Sequence, residues 1–206
     1  MENQVRAQYD QFAAMYDQRW QKYTGRTLTF LQGWAQLDPQ ASVLDVACGT
    51  GALEVLLLGD APTRSITGVD LSSQMLTIAA RKCDHYPNVN FQLASAESLP
   101  FANPSFDAVI SANAFHYFPQ PVAALSEMCR VLKPGGNVVI LDWCKDFLFC
   151  RLCDLILPYF DPAYRQCYTQ AQLHGFFRQA GLSVIRARRV RFDPVWGMMV
   201  ATGTRV

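Results

Sequence analysis

Short apolar runs alternate with amphipathic stretches along most of the chain. Runs at 42–47, 65–70, 89–94, 106–113, 136–143, 182–191 and 196–204 read as strands. Between the early runs, residues 50–59, 72–84 and 120–132 carry apolar positions three and four apart, the spacing of one helix face. Strands alternating with helices imply an α/β fold, a doubly wound sheet with helices on both faces. The last two runs are joined through Asp193-Pro194, too tightly for a crossover, so they pair antiparallel. The expected sheet is seven-stranded and mostly parallel, with an antiparallel last strand. Two helices precede it. Val5 to Gln18 places Tyr9, Phe12, Ala13 and Tyr16 at helical spacing, and a second helix from about Thr24 to Leu37 ends before Asp38-Pro39. Thr169-Gln170-Ala171-Gln172 opens the last helix as a capping box, and Gly181 closes it.

The first apolar run, Val43-Leu44-Asp45-Val46, breaks into Ala47-Cys48-Gly49-Thr50-Gly51. Such a loop carries no bulk, so a ligand can lie against its backbone. Asp70 closes the next strand, where a carboxylate accepts hydrogen bonds from a ribose diol. A dinucleotide loop would place a third glycine for a pyrophosphate; here Glu54 stands at that place when counted from Gly49. Asp45 and Glu54 both oppose a phosphate and suit a cationic ligand, because opposite charges attract strongly in a poorly solvated cleft. S-adenosylmethionine, with its ammonium and sulfonium, matches that preference. A nicotinamide-dependent reductase, a further reading, is disfavoured by the same loop.

From this loop onward the chain resembles the class I S-adenosylmethionine-dependent methyltransferases. The likeness continues in Ala96-Glu97-Ser98-Leu99-Pro100-Phe101, in Ser105-Phe106-Asp107-Ala108-Val109, and in Glu127 through Gly136. Tyr9-Asp10-Gln11-Phe12-Ala13 and Tyr16-Asp17 are similar to the N-terminal helix of that family's small-molecule branch, which includes ubiquinone and menaquinone methyltransferases. The resemblance covers nearly the whole chain and is weakest from Cys144 to Tyr168. It implies a Rossmann-like sheet and one domain over 1–206, with a helical cap at 1–40 and a variable lid or substrate segment at 144–168. On this likeness Asp45, Ala47 and Gly49 to Gly51 hold the methionine part, Asp70 the ribose, and Leu71 and Met75 flank the adenine. Tyr16 lies over the methionine end. Ala96, Glu97 and Asn113 complete the cofactor set. Where the family typically carries an aspartate for the adenine amino group, this chain has Ser95, which accepts a hydrogen bond without charge.

The fourth strand leads to Asn113-Ala114-Phe115-His116-Tyr117-Phe118. His116 is the general-base candidate, since only histidine titrates near neutrality unperturbed; the alternative is a polar residue of the cleft wall. The stretch Phe147 to Phe160 is apolar on too many sides for an ordinary surface helix. It is read as a buried helix, a lid over a lipophilic acceptor, or a surface touching membrane. Residues 144–168 are expected to dominate the acceptor cavity, with Asp142, Lys145, Tyr159 and Phe160 as acceptor contacts beside His116.

Composition narrows the partners. The chain has 206 residues, 50% hydrophobic, with a formal net charge of +1. One large core suits a single domain. No broad basic face is present, so nucleic acid is not expected, and the Arg186-Arg188-Arg189-Arg191 cluster reads as a solvated strand. Cys150 and Cys153 form a C-x-x-C pair without a second pair, so no metal is expected and the thiols read as one face of a helix. The first nineteen residues lack the apolar core of a signal segment, and the cytoplasm is the default location. The expected activity is methyl transfer from S-adenosylmethionine to a small apolar or aromatic acceptor. The alternative is a catalytically silent, cofactor-binding regulatory protein of the same fold; oligomeric state stays open.

Overall fold

β1 (Val43–Val46) is buried at every position, as a strand covered by helices on both faces must be. The computed structural model describes residues 2–102, 104–161, 163–192 and 196–205. α1 (Glu2–Ala35) precedes β1; then come α2 (Ala52–Asp60), β2 (Ile66–Asp70), α3 (Ser73–Lys82), β3 (Val89–Leu93) and β4 (Phe106–Ala112). α4 (Pro121–Val131), β5 (Leu132–Trp143), α5 (Leu148–Ile156), α6 (Gln170–Gln179), β6 (Leu182–Arg191) and β7 (Gly197–Arg205) complete the chain. One-turn 3-10 helices lie at Phe115–Tyr117 and Leu157–Tyr159.

The seven strands stand in the order β3-β2-β1-β4-β5-β7-β6. β1 pairs parallel with β2 and with β4, and β7 runs antiparallel to both of its neighbours. The expected mostly parallel, Rossmann-like sheet is therefore the observed one. The chain leaves β1 toward β2 and β3, then returns to the other side of β1 as β4. Strand order reverses between β1 and β4, and the carboxyl ends of these strands part to form a crevice.

Each face of the sheet has its own core. On one, Phe115, Leu125, Met128, Leu173 and Phe177 pack between the strands and α4 and α6; on the other, Leu28, Leu31, Trp34, Leu57 and Leu58 seat α1 and α2. Trp34 Nε1 donates to Thr202 Oγ1 at 2.9 Å, and the Arg186 guanidinium lies 3.6 Å from the Trp34 ring centre. That arginine shields the end of α1 as well as facing water.

Two boundaries differ from the sequence reading. The two N-terminal helices are one continuous helix of 34 residues. No proline interrupts Gln18 to Thr24, and Thr24 Oγ1 donates back to the Trp20 carbonyl at 3.0 Å. Burial of Thr27, Leu28, Leu31 and Trp34 outweighs the roughly 1 kcal/mol that a glycine such as Gly25 costs within a helix. β5 begins at Leu132, four residues before the expected start, running through Pro134 and two glycines before its buried part. The Asp193-Pro194 connection lies outside the described residues, although the antiparallel pairing on either side of it is present.

Candidate active site

The loop after β1 turns sharply. Ala47, Gly49 and Gly51 all have positive φ, at 62°, 55° and 75°. For Gly51 this is doubly required, because a Cβ there would sit 2.9 Å from Ala79 of α3. Ala47 holds a left-handed conformation that its methyl group disfavours, a local strain at the floor of the crevice.

Asp70 ties this loop to the next. Its Oδ2 accepts from the Gly49 amide at 2.9 Å and its Oδ1 from the Ser72 amide at 2.8 Å. Ser72 in turn caps α3, its hydroxyl accepting from the Met75 amide at 3.1 Å. The capping duty that an isolated strand-end aspartate often carries thus belongs to Ser72. Burial raises the Asp70 carboxyl, and the Ser72, Gly49 and Leu71 amides oppose that rise.

A cavity of about 760 Å³, partly open to solvent, lies over these strand ends. Ala47, Gly49, Asp70, Leu71 and Met75 line it from β1 and β2; Ala94, Ala96 and Glu97 follow from β3. β4 contributes Ala112, Asn113, Ala114, Tyr117, Phe118 and Pro119, and α1 closes the top with Glu2, Val5, Tyr9 and Tyr16. Asp70 meets an apolar wall of Leu71, Met75, Ala94, Ala96 and Phe118, so one polar anchor for a diol sits beside a slot for a flat base. These groups fit an adenosyl moiety.

α1 is fastened over the cavity by side chains at its rim. Thr50 Oγ1 donates to Asp17 at 2.6 Å, Ser72 Oγ donates to Asp10 at 2.6 Å, and Lys82 pairs with Asp17. Gln8 Nε2 donates to Asp161 at 2.9 Å. The Tyr9 ring stands edge-on to Tyr117, centres 5.5 Å apart, and 6.1 Å from Tyr16. Burial keeps all three phenols protonated, with Tyr16 pushed up to about 12 and the other two also raised well above the usual value. Asn113 holds a left-handed φ of 58°. Its side-chain oxygen accepts from Tyr23 at 2.7 Å and its amide donates to Thr27 at 3.1 Å, both on α1.

Several sequence expectations need correction. Asp45 does not line the cavity; it is buried under the loop beside Glu54, which is fully buried too. Asp45 Oδ1 and both Glu54 carboxylate oxygens lack hydrogen-bond partners among the described residues. Burial, then the neighbouring Glu54 charge, raises Asp45, while burial pushes Glu54 up to about 7. Gly51 likewise packs on α3, away from the cavity wall.

His116 is buried and absent from the cavity wall. Its Nδ1 lies 2.7 Å from Asp142 Oδ1, its ring stacks on Trp143 at 4.4 Å, and its amide donates to Asp142 Oδ2 at 2.6 Å. The aromatic packing that buries it keeps it off the cavity wall. Asp142 is spent on this turn. Lys145 pairs with Asp154, and Tyr159 and Phe160 point to solvent. No described residue of 144–168 lines the cavity, contrary to expectation.

Ser95 stands at the edge of the site in a shallow hollow with Glu2, Asn3, Arg6 and Leu93. Its hydroxyl donates to Glu2 and accepts from the Glu97 amide at 3.0 Å. Glu2 and Tyr117 were not singled out from sequence. Tyr117 carries no motif that marks it in sequence, and Glu2 reaches the site only because α1 is one long helix. The Cys150-Cys153 pair gives no ligand cluster: among the described residues no group of three or more His, Cys, Asp or Glu could hold a metal.

Residues 43–136 match the family model described as a methyltransferase domain. Over 186 residues the chain is 31% identical to a demethylmenaquinone methyltransferase of Bacillus licheniformis, spanning 79% of this chain and 77% of that protein. It is 34% identical over 131 residues to a ubiquinone/menaquinone biosynthesis C-methyltransferase of Geotalea daltonii, spanning 62% of this chain and about half, 53%, of the relative. The solved structure of magnesium protoporphyrin IX methyltransferase from Synechocystis, with S-adenosylhomocysteine bound, shares the fold across the whole of both chains, at a TM-score of 0.77 and 18% identity. A strand-end carboxylate, a strained small-residue loop and a relative matched over three quarters of its length converge on one assignment: the chain belongs to the S-adenosylmethionine-dependent methyltransferases.

Proposed function

We propose that the chain methylates a small aromatic acceptor of the reduced-quinone class. The observation that carries this reading is the uneven lining of the cavity. Its carboxylates, Glu2, Asp70 and Glu97, lie at the β2 and β3 side, while the β4 side offers Tyr117, Ala112 and Ala114 under Tyr9, and Tyr16 lies between, near enough to Asp70 to feel its charge. An uncharged aromatic wall suits a planar, apolar acceptor and gives no ion pair to an amine. The relatives named for demethylmenaquinone and ubiquinone/menaquinone methylation point the same way.

When bound, S-adenosylmethionine supplies a methyl group on a positively charged sulfur. Asp70 would accept the ribose hydroxyls, and Leu71, Met75 and Phe118 would sandwich the adenine. Glu2, held by Ser95, would supply the adenine-edge carboxylate that Ser95 itself lacks; Glu97 is already engaged by the Gln120 amide and side chain, at 2.7 and 3.0 Å. Asn113 and the backbone at Ala47 and Gly49 would orient the methionine part. Tyr16, kept protonated, would donate to an acceptor oxygen. The tyrosine faces stabilise positive charge and exclude water. Acceleration then comes from alignment against the aromatic wall, and the proton that the acceptor gives up would leave to solvent through the open side of the cavity, with no side-chain base at the reacting atom.

The test is transfer of labelled methyl from S-adenosylmethionine to a dihydroxynaphthalene bearing an apolar tail, beside an aliphatic amine. Label on the naphthalene is expected. Label on the amine alone would overturn the acceptor class, and tight S-adenosylhomocysteine binding with no transfer to any acceptor would favour a silent binding protein.

A further inference from the structure

α5 is built inside out. Its apolar residues recur at 148, 149, 152, 155 and 156 and continue at 159 and 160, one stripe at helical spacing. That stripe faces solvent: Leu148 is 72% exposed, Leu155 68%, Tyr159 85% and Phe160 80%. The inward side carries Cys150 and Asp154, packed against Tyr164 and Cys167. Asp154 pairs with Lys145, accepts from Tyr164 Oη at 2.7 Å and from the Cys167 amide at 2.6 Å, and Cys150 Sγ donates to the Gly197 carbonyl at 3.2 Å. These bonds set the helix rotation, so the outward apolar face is fixed and not an accident of fraying. A run of this size on a free surface marks a contact with something apolar.

Charge says what that contact is. Next to the stripe stand Arg151, whose Nε donates to the Lys145 carbonyl at 3.0 Å, Arg191, 5.1 Å above the Phe147 ring, and Arg189, 3.6 Å from Asp146. All three arginines are exposed. The carboxylates of the same region are engaged: Asp146 by Arg189, Asp154 by Lys145, and Asp161 by Gln8, Tyr117 and two amides of its own turn. An apolar stripe bordered by the exposed Arg151 and Arg191, with Asp146 and Asp154 held in ion pairs, complements an anionic bilayer surface. No helix among the described residues is long and apolar enough to cross a membrane, so the contact is one of lying on the surface.

The geometry points to α5 and the turn after it as an interfacial anchor for anionic phospholipid bilayers. The anchor stands apart from the cavity and holds whichever acceptor is methylated. Co-sedimentation of the full chain with phosphatidylcholine vesicles, with and without phosphatidylglycerol, tests it. Binding to the phosphatidylglycerol vesicles is expected, weakened by salt. Leu148→Gln and Leu155→Gln should each weaken it about tenfold, and Arg151→Gln with Arg191→Gln should weaken it and flatten the salt dependence. Unchanged circular dichroism and S-adenosylhomocysteine affinity would show that the variants fold. Two results would overturn the proposal: absence of vesicle binding, or a concentration-dependent dimer that Leu155→Gln abolishes while vesicle binding is unaltered.

Discussion

α1 and α5 are both rich in aromatic and aliphatic residues, yet they turn opposite faces to the protein. α1 sends Tyr9 and Tyr16 down onto the cavity and fastens its polar residues Asp10 and Asp17 to Ser72 and Thr50. α5 sends Asp154 and Cys150 inward and leaves its leucines outside. Apolar content alone therefore does not say which segment covers a ligand. What separates them is where the polar anchors fall. The turn at 115–117 joins the two regions: Tyr117 lines the cavity, while His116 packs beneath the α5 side against Trp143 and Tyr164.

That contrast can be broken from several sides. Asp70→Ala removes a charged acceptor shared by the loop and the ligand, and should weaken S-adenosylhomocysteine binding by roughly a hundredfold or more, read by calorimetry. His116→Ala leaves Asp142 buried without its ring partner and should cost about 3 kcal/mol of stability, read by urea unfolding. In the same variant single-turnover transfer should keep its pH profile near neutrality; loss of a limb there would restore His116 as a base.

Stability should also respond to pH through Glu54. Its carboxyl is raised from 4.5 to about 7 by burial. The folded state therefore binds the proton more tightly, and the stability this contributes is present below the ordinary carboxylate value and lost as pH rises through about 7. Asp45, raised for the same reason, adds to the trend with the same sign. Unfolding free energy should fall by up to roughly 3 kcal/mol between about pH 5 and about pH 8. Glu54→Gln should flatten that slope, and an equal slope in the variant would mean that another group titrates. Loosening the strap with Asp17→Ala should weaken S-adenosylhomocysteine about tenfold. At the bottom of the scale, Leu152→Gln on α5 should change that affinity less than about twofold, because nothing on that face reaches the cavity.

The sheet was legible because its information is local. Alternating runs, the small-residue loop and the spacing to Asp70 each reflect backbone geometry that the adjoining residues determine. The loop and Asp70 are readable for the same reason, as are Leu71 and Met75, which lie within a turn or so of Asp70 in sequence. Long-range placement was not readable. Glu2 and Ser95 meet across 93 positions of sequence. His116 stands out in sequence as a histidine just past a strand end, whereas a tertiary stack on Trp143 decides its exposure. The apolar stretch 147–160 reads as a helix in sequence, but its rotation depends on Asp154, Tyr164 and Cys167, and periodicity carries no trace of that network.

The central claim is that the cofactor binds under α1, with α5 uninvolved. Hydrogen exchange of the full chain with and without S-adenosylhomocysteine tests it most directly, since amides ordered by a ligand slow their exchange. Protection should concentrate in residues 2–17, 47–51, 70–75, 94–97 and 112–119, leaving 148–160 unchanged. Protection centred on 148–160, with the first half of α1 unaffected, would contradict the account.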